Sequence, residues 1–152
     1  MACSRLTRRE GITLFSMRKS IKPSELTSTM IAQCGMNCAI CSAHQREVNT
    51  CPGCRMNGEW RCTHKAKCSF KACEELDGKF CFSCKSFPCV RLKSLDKRYR
   101  TKYGMSEIEN LLYIKGHGIK AFVRKEQKRW KCPECGMLLS CHKEECLSCD
   151  QL

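Results

Sequence analysis

Near the C-terminus, Cys132-Pro133-Glu134-Cys135-Gly136 sets two thiols two residues apart in a tight turn, from which both thiolates can chelate one metal ion. Gly136 suits the backbone conformation that follows the second ligand. Cys146-Leu147-Ser148-Cys149 repeats the pair ten residues on. Two such knuckles closing on one tetrahedral ion make a zinc ribbon, so Cys132, Cys135, Cys146 and Cys149 are the first candidate ligands. Cys141 and His142, between the knuckles, read as a local structural residue and an outer hydrogen-bonding partner of the ligands, with direct ligation as the other reading.

A larger set occupies residues 30–90: Cys34, Cys38, Cys41, Cys51, Cys54, Cys62, Cys68, Cys73, Cys81, Cys84 and Cys89. Cys51-Pro52-Gly53-Cys54 and Cys81-Phe82-Ser83-Cys84 are two further knuckles. Eleven thiolates and one histidine, His44 or His64, would complete three tetrahedral sites; two sites with spare thiols is the neighbouring solution. Spacing does not say which knuckles share an ion, because many pairings satisfy it. Cys34, Cys38 and Cys41 also have the three-thiol spacing of radical S-adenosylmethionine enzymes, but too few residues follow to build the barrel those enzymes need. An iron–sulfur cluster on four of these cysteines is the serious alternative to several zinc ions; the Cys-x₂-Cys-x₂-Cys-x₃-Cys-Pro run of ferredoxins is missing.

In all, 17 of 152 residues are cysteine, a density that means disulfides in an oxidising compartment or metal thiolates in a reducing one. The N-terminus has no secretory apolar region, and no stretch approaches a membrane span. The expected setting is therefore cytoplasmic, with reduced thiols on metal and no membrane partner. Formal net charge is +13. Each zinc on four thiolates contributes about −2, so four such sites would leave roughly +5, a basic surface less extreme than composition implies.

These ligands need elements to position them, and the chain divides accordingly. Residues 1–29 read as a dispensable, disordered basic extension; 30–90 as a loop-rich metal-binding module; 91–130 as helical; 131–152 as the zinc ribbon. In the helical part, Pro88 suits a helix start, Leu92, Leu95 and Tyr99 mark one face, and Gly104 an end. Ser106 and Glu109 form a capping box for a helix carrying Ile108, Leu111 and Leu112 and closing at Gly116. A third helix would carry Ile119, Phe122, Val123 and Trp130. The expected fold class is small α plus irregular, scaffolded by metal, with two or three helices between a cysteine module and a C-terminal ribbon.

From Met30 onward the chain resembles a family of small, cysteine-rich, uncharacterised proteins held to bind zinc. The resemblance rests on Cys34-Gly35-x-x-Cys38-x-x-Cys41, Cys51-x-x-Cys54, and Cys81-x-x-Cys84 followed by Phe87-Pro88-Cys89. It continues through Tyr103-Gly104-Met105-Ser106, Ile108-Glu109-Asn110-Leu111 and Trp130-Lys131-Cys132-Pro133-x-Cys135-Gly136. It implies metal binding and supplies no reaction.

Lys93, Lys97, Arg98, Arg100 and Lys102 flank Tyr99 and Tyr103, and Lys120, Arg124, Lys125, Lys128 and Arg129 lie beside Trp130. Such sets can pair phosphates with cations and bases with rings; the plainer reading is a solvated helix face with its rings turned inward. Trp60 reads as a cover over a metal site, and His117, between two glycines, as an exposed turn residue. No phosphate-binding glycine loop, His-Glu-x-x-His helix or acid–base pair is present, so the balance is against an enzyme. The function expected is a structural-zinc adaptor for another macromolecule, protein or nucleic acid, with an iron–sulfur electron-transfer or sensing protein and a nucleic-acid-binding zinc protein as alternatives.

Overall fold

The computed structural model describes residues 20–55 and 68–149; Cys62, His64 and Trp60 lie outside them. A single-turn helix, α1 (Ser42–Gln45), precedes three longer ones: α2 (Val90–Tyr103), α3 (Glu107–His117) and α4 (Ile119–Arg129). No strand forms among the described residues. Two isolated antiparallel bridges, Ile31 with Asn37 and Lys131 with Leu138, brace the turns that open the two cysteine segments. The result is a small, helical, loop-rich fold with a cysteine cluster at its C-terminal end.

Helix α2 begins two residues later than Pro88 suggested, with Cys89 as its N-cap and Pro88 outside it. It turns Leu92 and Asp96 into the core and leaves Tyr99 and Tyr103 half-buried. Gly104, at φ 61°, ends it in the left-handed conformation that glycine adopts without a Cβ penalty. Ser106 caps α3 as expected, its Oγ accepting from the Glu109 N–H at 3.0 Å. The reciprocal half of the box is replaced, because the Glu109 carboxylate faces the Arg100 guanidinium at 3.1 Å.

Helix α3 does not close at Gly116 but runs on to His117, with Gly118 (φ 84°) as its cap. Leu111 is fully buried, whereas Leu112 is 50% exposed. One residue further along a helix turns the side chain by about 100°, so both could not enter one core. His117 is accordingly a helix-end residue, exposed and stacked on Tyr113 with ring centroids 4.3 Å apart. Gly118 alone joins α3 to α4, which buries Phe122 and Glu126. Helix α3 packs against α2, α4 and the turn at Cys81–Ser83.

Residues 20–29, which the sequence groups with the basic extension, belong to this core. Ile21 and Leu26 are 2% and 1% exposed, and α4 packs on the 3₁₀ turns Pro23–Glu25 and Ser28–Met30. The C-terminal cysteine segment is tied into the same core. Leu138 N–H donates to the Ile21 carbonyl at 2.8 Å, Leu139 N–H to Trp130 at 2.7 Å and Cys141 N–H to Ile40 at 2.9 Å. Among the described residues no helix is long and apolar enough to cross a membrane.

Candidate metal centre

The two C-terminal knuckles converge. Cys132 and Cys135 flank a turn closed by Gly136 N–H donating to the Cys132 carbonyl at 3.0 Å, and Cys132 N–H donates to Met137 at 2.8 Å. Gly136 takes φ 75°, as the sequence required of it. The sulfurs of Cys132, Cys135, Cys146 and Cys149 all lie within 4.8 Å of one another. Two of the cross-knuckle separations are 3.8 Å, Cys132 to Cys149, and 3.6 Å, Cys135 to Cys146.

A tetrahedral zinc ion bound at about 2.3 Å sets its sulfurs roughly 3.8 Å apart, so the donor set fits such an ion in kind, number and spacing. The separations are far from a disulfide bond of about 2.05 Å, and the fifteen described cysteines are all free thiols. Backbone N–H groups of Cys135 and Glu134 bring the Cys132 thiol down to about 7, which favours a thiolate near neutral pH. Cys149 is pushed up to about 12 by hydrogen bonding with Cys135 and Cys146. Four thiolates this close repel one another unless a cation sits among them.

Cys141 and His142 stand outside this group. Cys141 is 7% exposed, and burial pushes its thiol up. His142 Nδ1 accepts from the Ser42 backbone N–H at 3.2 Å, and its Nε2 meets the Tyr99 hydroxyl at 3.2 Å. A ring nitrogen accepting from an amide is unprotonated, and burial lowers the pKa of His142 in the same sense. The imidazole thus clasps α1 to α2, with Tyr103 edge-on at 4.8 Å.

Among the described residues, the C-terminal quartet alone meets that mutual distance; the cysteines of 30–90 are set wider. Cys54 N–H donates to Cys38 Sγ at 3.2 Å, which lowers the Cys38 thiol, but hydrogen bonding with the Cys54 side chain and then burial outweigh it and raise the thiol. Burial raises Cys41 too, with Cys51 and Cys54 as charged neighbours, so Cys38, Cys41, Cys51 and Cys54 form one neighbourhood. Cys81 is pushed up to about 11, first by burial and then by Cys89, Cys73 and Cys84, which form another. Cys34 is buried between the two, and its thiol is raised by burial first, then by Glu107. Cys68 is half-buried. His44 Nδ1 is 2.5 Å from the Cys51 carbonyl oxygen, so it donates there and braces the knuckle.

Several residues that hold these loops carry no signature in spacing. Asn37 Oδ1 accepts from Ala39 N–H, capping the turn at Cys38–Ile40, while its Nδ2 donates to Glu126 Oε2 at 3.2 Å. Asn110 Nδ2 donates to the Gly35 carbonyl at 3.1 Å. Trp130 Nε1 donates to the same Glu126 oxygen at 2.9 Å. Asn37 sits inside the first cysteine motif and Asn110 inside a segment marked by the family resemblance; the buried acids Glu107 and Glu126 had no signal beyond helical phase.

The lysines and arginines of α2 and α4 are exposed, and Tyr99, Tyr103 and Trp130 pack against the core. Comparison with family models, curated proteins and solved structures returns no match for this chain.

Proposed function

We propose that this chain is a structural-zinc adaptor: a protein whose cysteines hold zinc so that loops and short helices keep one shape for binding another macromolecule. The observation that carries the reading is the convergence of Cys132, Cys135, Cys146 and Cys149, with cross-knuckle separations of 3.6 and 3.8 Å. Closed tetrathiolate sites leave no coordination position for a substrate and act by fixing structure. The ion would tie the segment after α4 to itself, and through Leu138 and Cys141 that segment holds residues 21 and 40.

The reading requires a reducing compartment, the cytoplasm being the natural one. Segments that carry the family resemblance meet in the fold, Gly35 of one against Asn110 and Leu111 of another. The exposed cations of α2 and α4 suit an acidic protein partner better than base stacking, since the neighbouring rings face inward.

Elemental analysis and an absorption spectrum of protein purified anaerobically without added metal test the proposal. Stoichiometric zinc and no visible absorption are expected. Iron with acid-labile sulfide and a broad visible band would replace it with an iron–sulfur protein.

A further inference from the structure

A small cavity lies beneath the N-terminus of α2, about 20 Å³ in volume and mainly apolar in its lining. Four cysteines from three stretches of chain open onto it: Cys73, the knuckle pair Cys81 and Cys84, and Cys89. Phe70, Leu76, Phe87 and Leu92 make the apolar wall. A water molecule fits such a volume but needs two to four polar partners, which this wall does not offer. An atom-sized guest that bonds to sulfur does not need them.

Two features supply positive potential at the thiols. Arg91 Nη2 donates to Cys73 Sγ at 3.3 Å while its Nη1 donates to the Ser69 carbonyl at 3.3 Å, so the guanidinium is fixed at the mouth of the cavity. Cys89 is the N-cap of α2, a helix of 14 residues whose aligned peptide dipoles place partial positive charge at that end. The Cys81–Cys84 turn is closed by Cys84 N–H donating to the Cys81 carbonyl at 3.1 Å.

Resting on the reading of the chain as a metal–thiolate protein, we propose that Cys73, Cys81, Cys84 and Cys89 form a second metal centre, separate from the C-terminal one, that takes a single soft divalent cation of the zinc class with Arg91 offsetting its charge. Four thiolates on a divalent ion carry about −2, and in an apolar pocket that charge needs a neighbouring cation. These sulfurs are spread wider than the C-terminal four, so binding draws them inward and orders the 68–89 loop against α2.

The test compares zinc content of the full chain with that of two double variants, Cys84→Ser/Cys89→Ser and Cys132→Ser/Cys135→Ser. One equivalent lost from each is expected. Loss only from the Cys132/Cys135 variant overturns the second centre and leaves the first intact; loss only from the Cys84/Cys89 variant does the reverse. Iron and sulfide lost from the Cys84/Cys89 variant overturn the single ion in favour of a cluster. Should the variants not fold, alkylation of the unmutated protein followed by mass spectrometry decides. Cys73, Cys81, Cys84 and Cys89 should be protected together and become reactive together on chelation; alkylation of them at the rate of free thiols in zinc-loaded protein overturns the proposal.

Discussion

At Gly35 the backbone sits at φ +90°, and a Cβ added there would stand 2.6 Å from the Glu107 carbonyl oxygen and 3.0 Å from the Leu111 side chain. The glycine between the first two motif cysteines is thus a docking residue, letting the loop touch α3 while Asn110 holds its carbonyl. Gly35→Ala should cost roughly 2–4 kcal/mol from backbone strain plus overpacking. Gly104→Ala, also at positive φ but with nothing near its Cβ, should cost only about 1–2 kcal/mol. Denaturant unfolding of both variants checks this, and equal losses would refute the docking role. Asp96 offers a second case. Burial alone would raise its carboxyl, but hydrogen bonds from Ser106 Oγ, Ile108 N–H and Arg100 outweigh that and hold it below the usual range. A depressed acid stabilises the fold above its unfolded pKa and loses that contribution as pH falls through its folded value. Asp96→Asn should therefore be less stable at neutral pH by about 1–3 kcal/mol, with the gap to the unmutated chain closing in acid. A gap that stays constant across the acid range would remove the ion from the account.

At the scale of elements, α3 carries the opposite sign. Glu107 opens the helix with both carboxylate oxygens buried, and burial, then the charges of Asp96 and Glu126, outweigh the opposing effect of Asn110 and raise it to about 8. Its proton is kept on folding, so its contribution is whole below the ordinary glutamate range and declines as pH rises towards 8. The ceiling of that loss is roughly 5 kcal/mol. Glu107→Gln should flatten the alkaline side of the stability profile and stabilise the protein near pH 8; an unchanged slope in thermal melts across pH 5–8 would rule this out. The three long helices were legible in the sequence because caps and apolar phase mark them locally: Ser106 before Glu109, Gly104 after Tyr103, Phe122 between Ile119 and Val123. The C-terminal ligands were legible for the same reason, both knuckles being short-range. What eluded sequence was long-range. Ile21 and Leu26 lie in a stretch whose composition looks like a solvated arm, yet their partners are Leu138 and Gln127 more than a hundred residues away. The wider thiol set could not be partitioned, since Cys73 meets Cys89 only once the 68–89 loop folds under α2.

For the molecule as a whole, the distribution of hydrogen bonds would make a metal bound at the C-terminal quartet and the core mutually dependent. The N-terminal turns, the loop around Cys38 and the C-terminal knuckles converge on one apolar centre, in which Ile31, Ile40, Leu111, Phe122 and Leu138 are nearly inaccessible. No strand ladder among the described residues holds these loops, and their backbone contacts with one another are few and scattered. Structural zinc contributes about 10–16 kcal/mol in small zinc domains, as much as the whole stability of an ordinary domain of about 5–15 kcal/mol. Removing it should therefore do more than loosen the knuckles. Freed from its ion, the segment after α4 no longer holds Leu138 against Ile21, and α4 loses part of the surface that buries Phe122. Full chelation under reducing conditions should abolish the dispersed amide spectrum and the cooperative melt, leave only partial helical circular dichroism, and be reversed by one metal addition. Acid should act in the same direction as protons displace the ion from its thiolates. A metal-free chain that keeps its native melting transition would show that the apolar centre suffices alone, and that the thiols serve some purpose other than scaffolding.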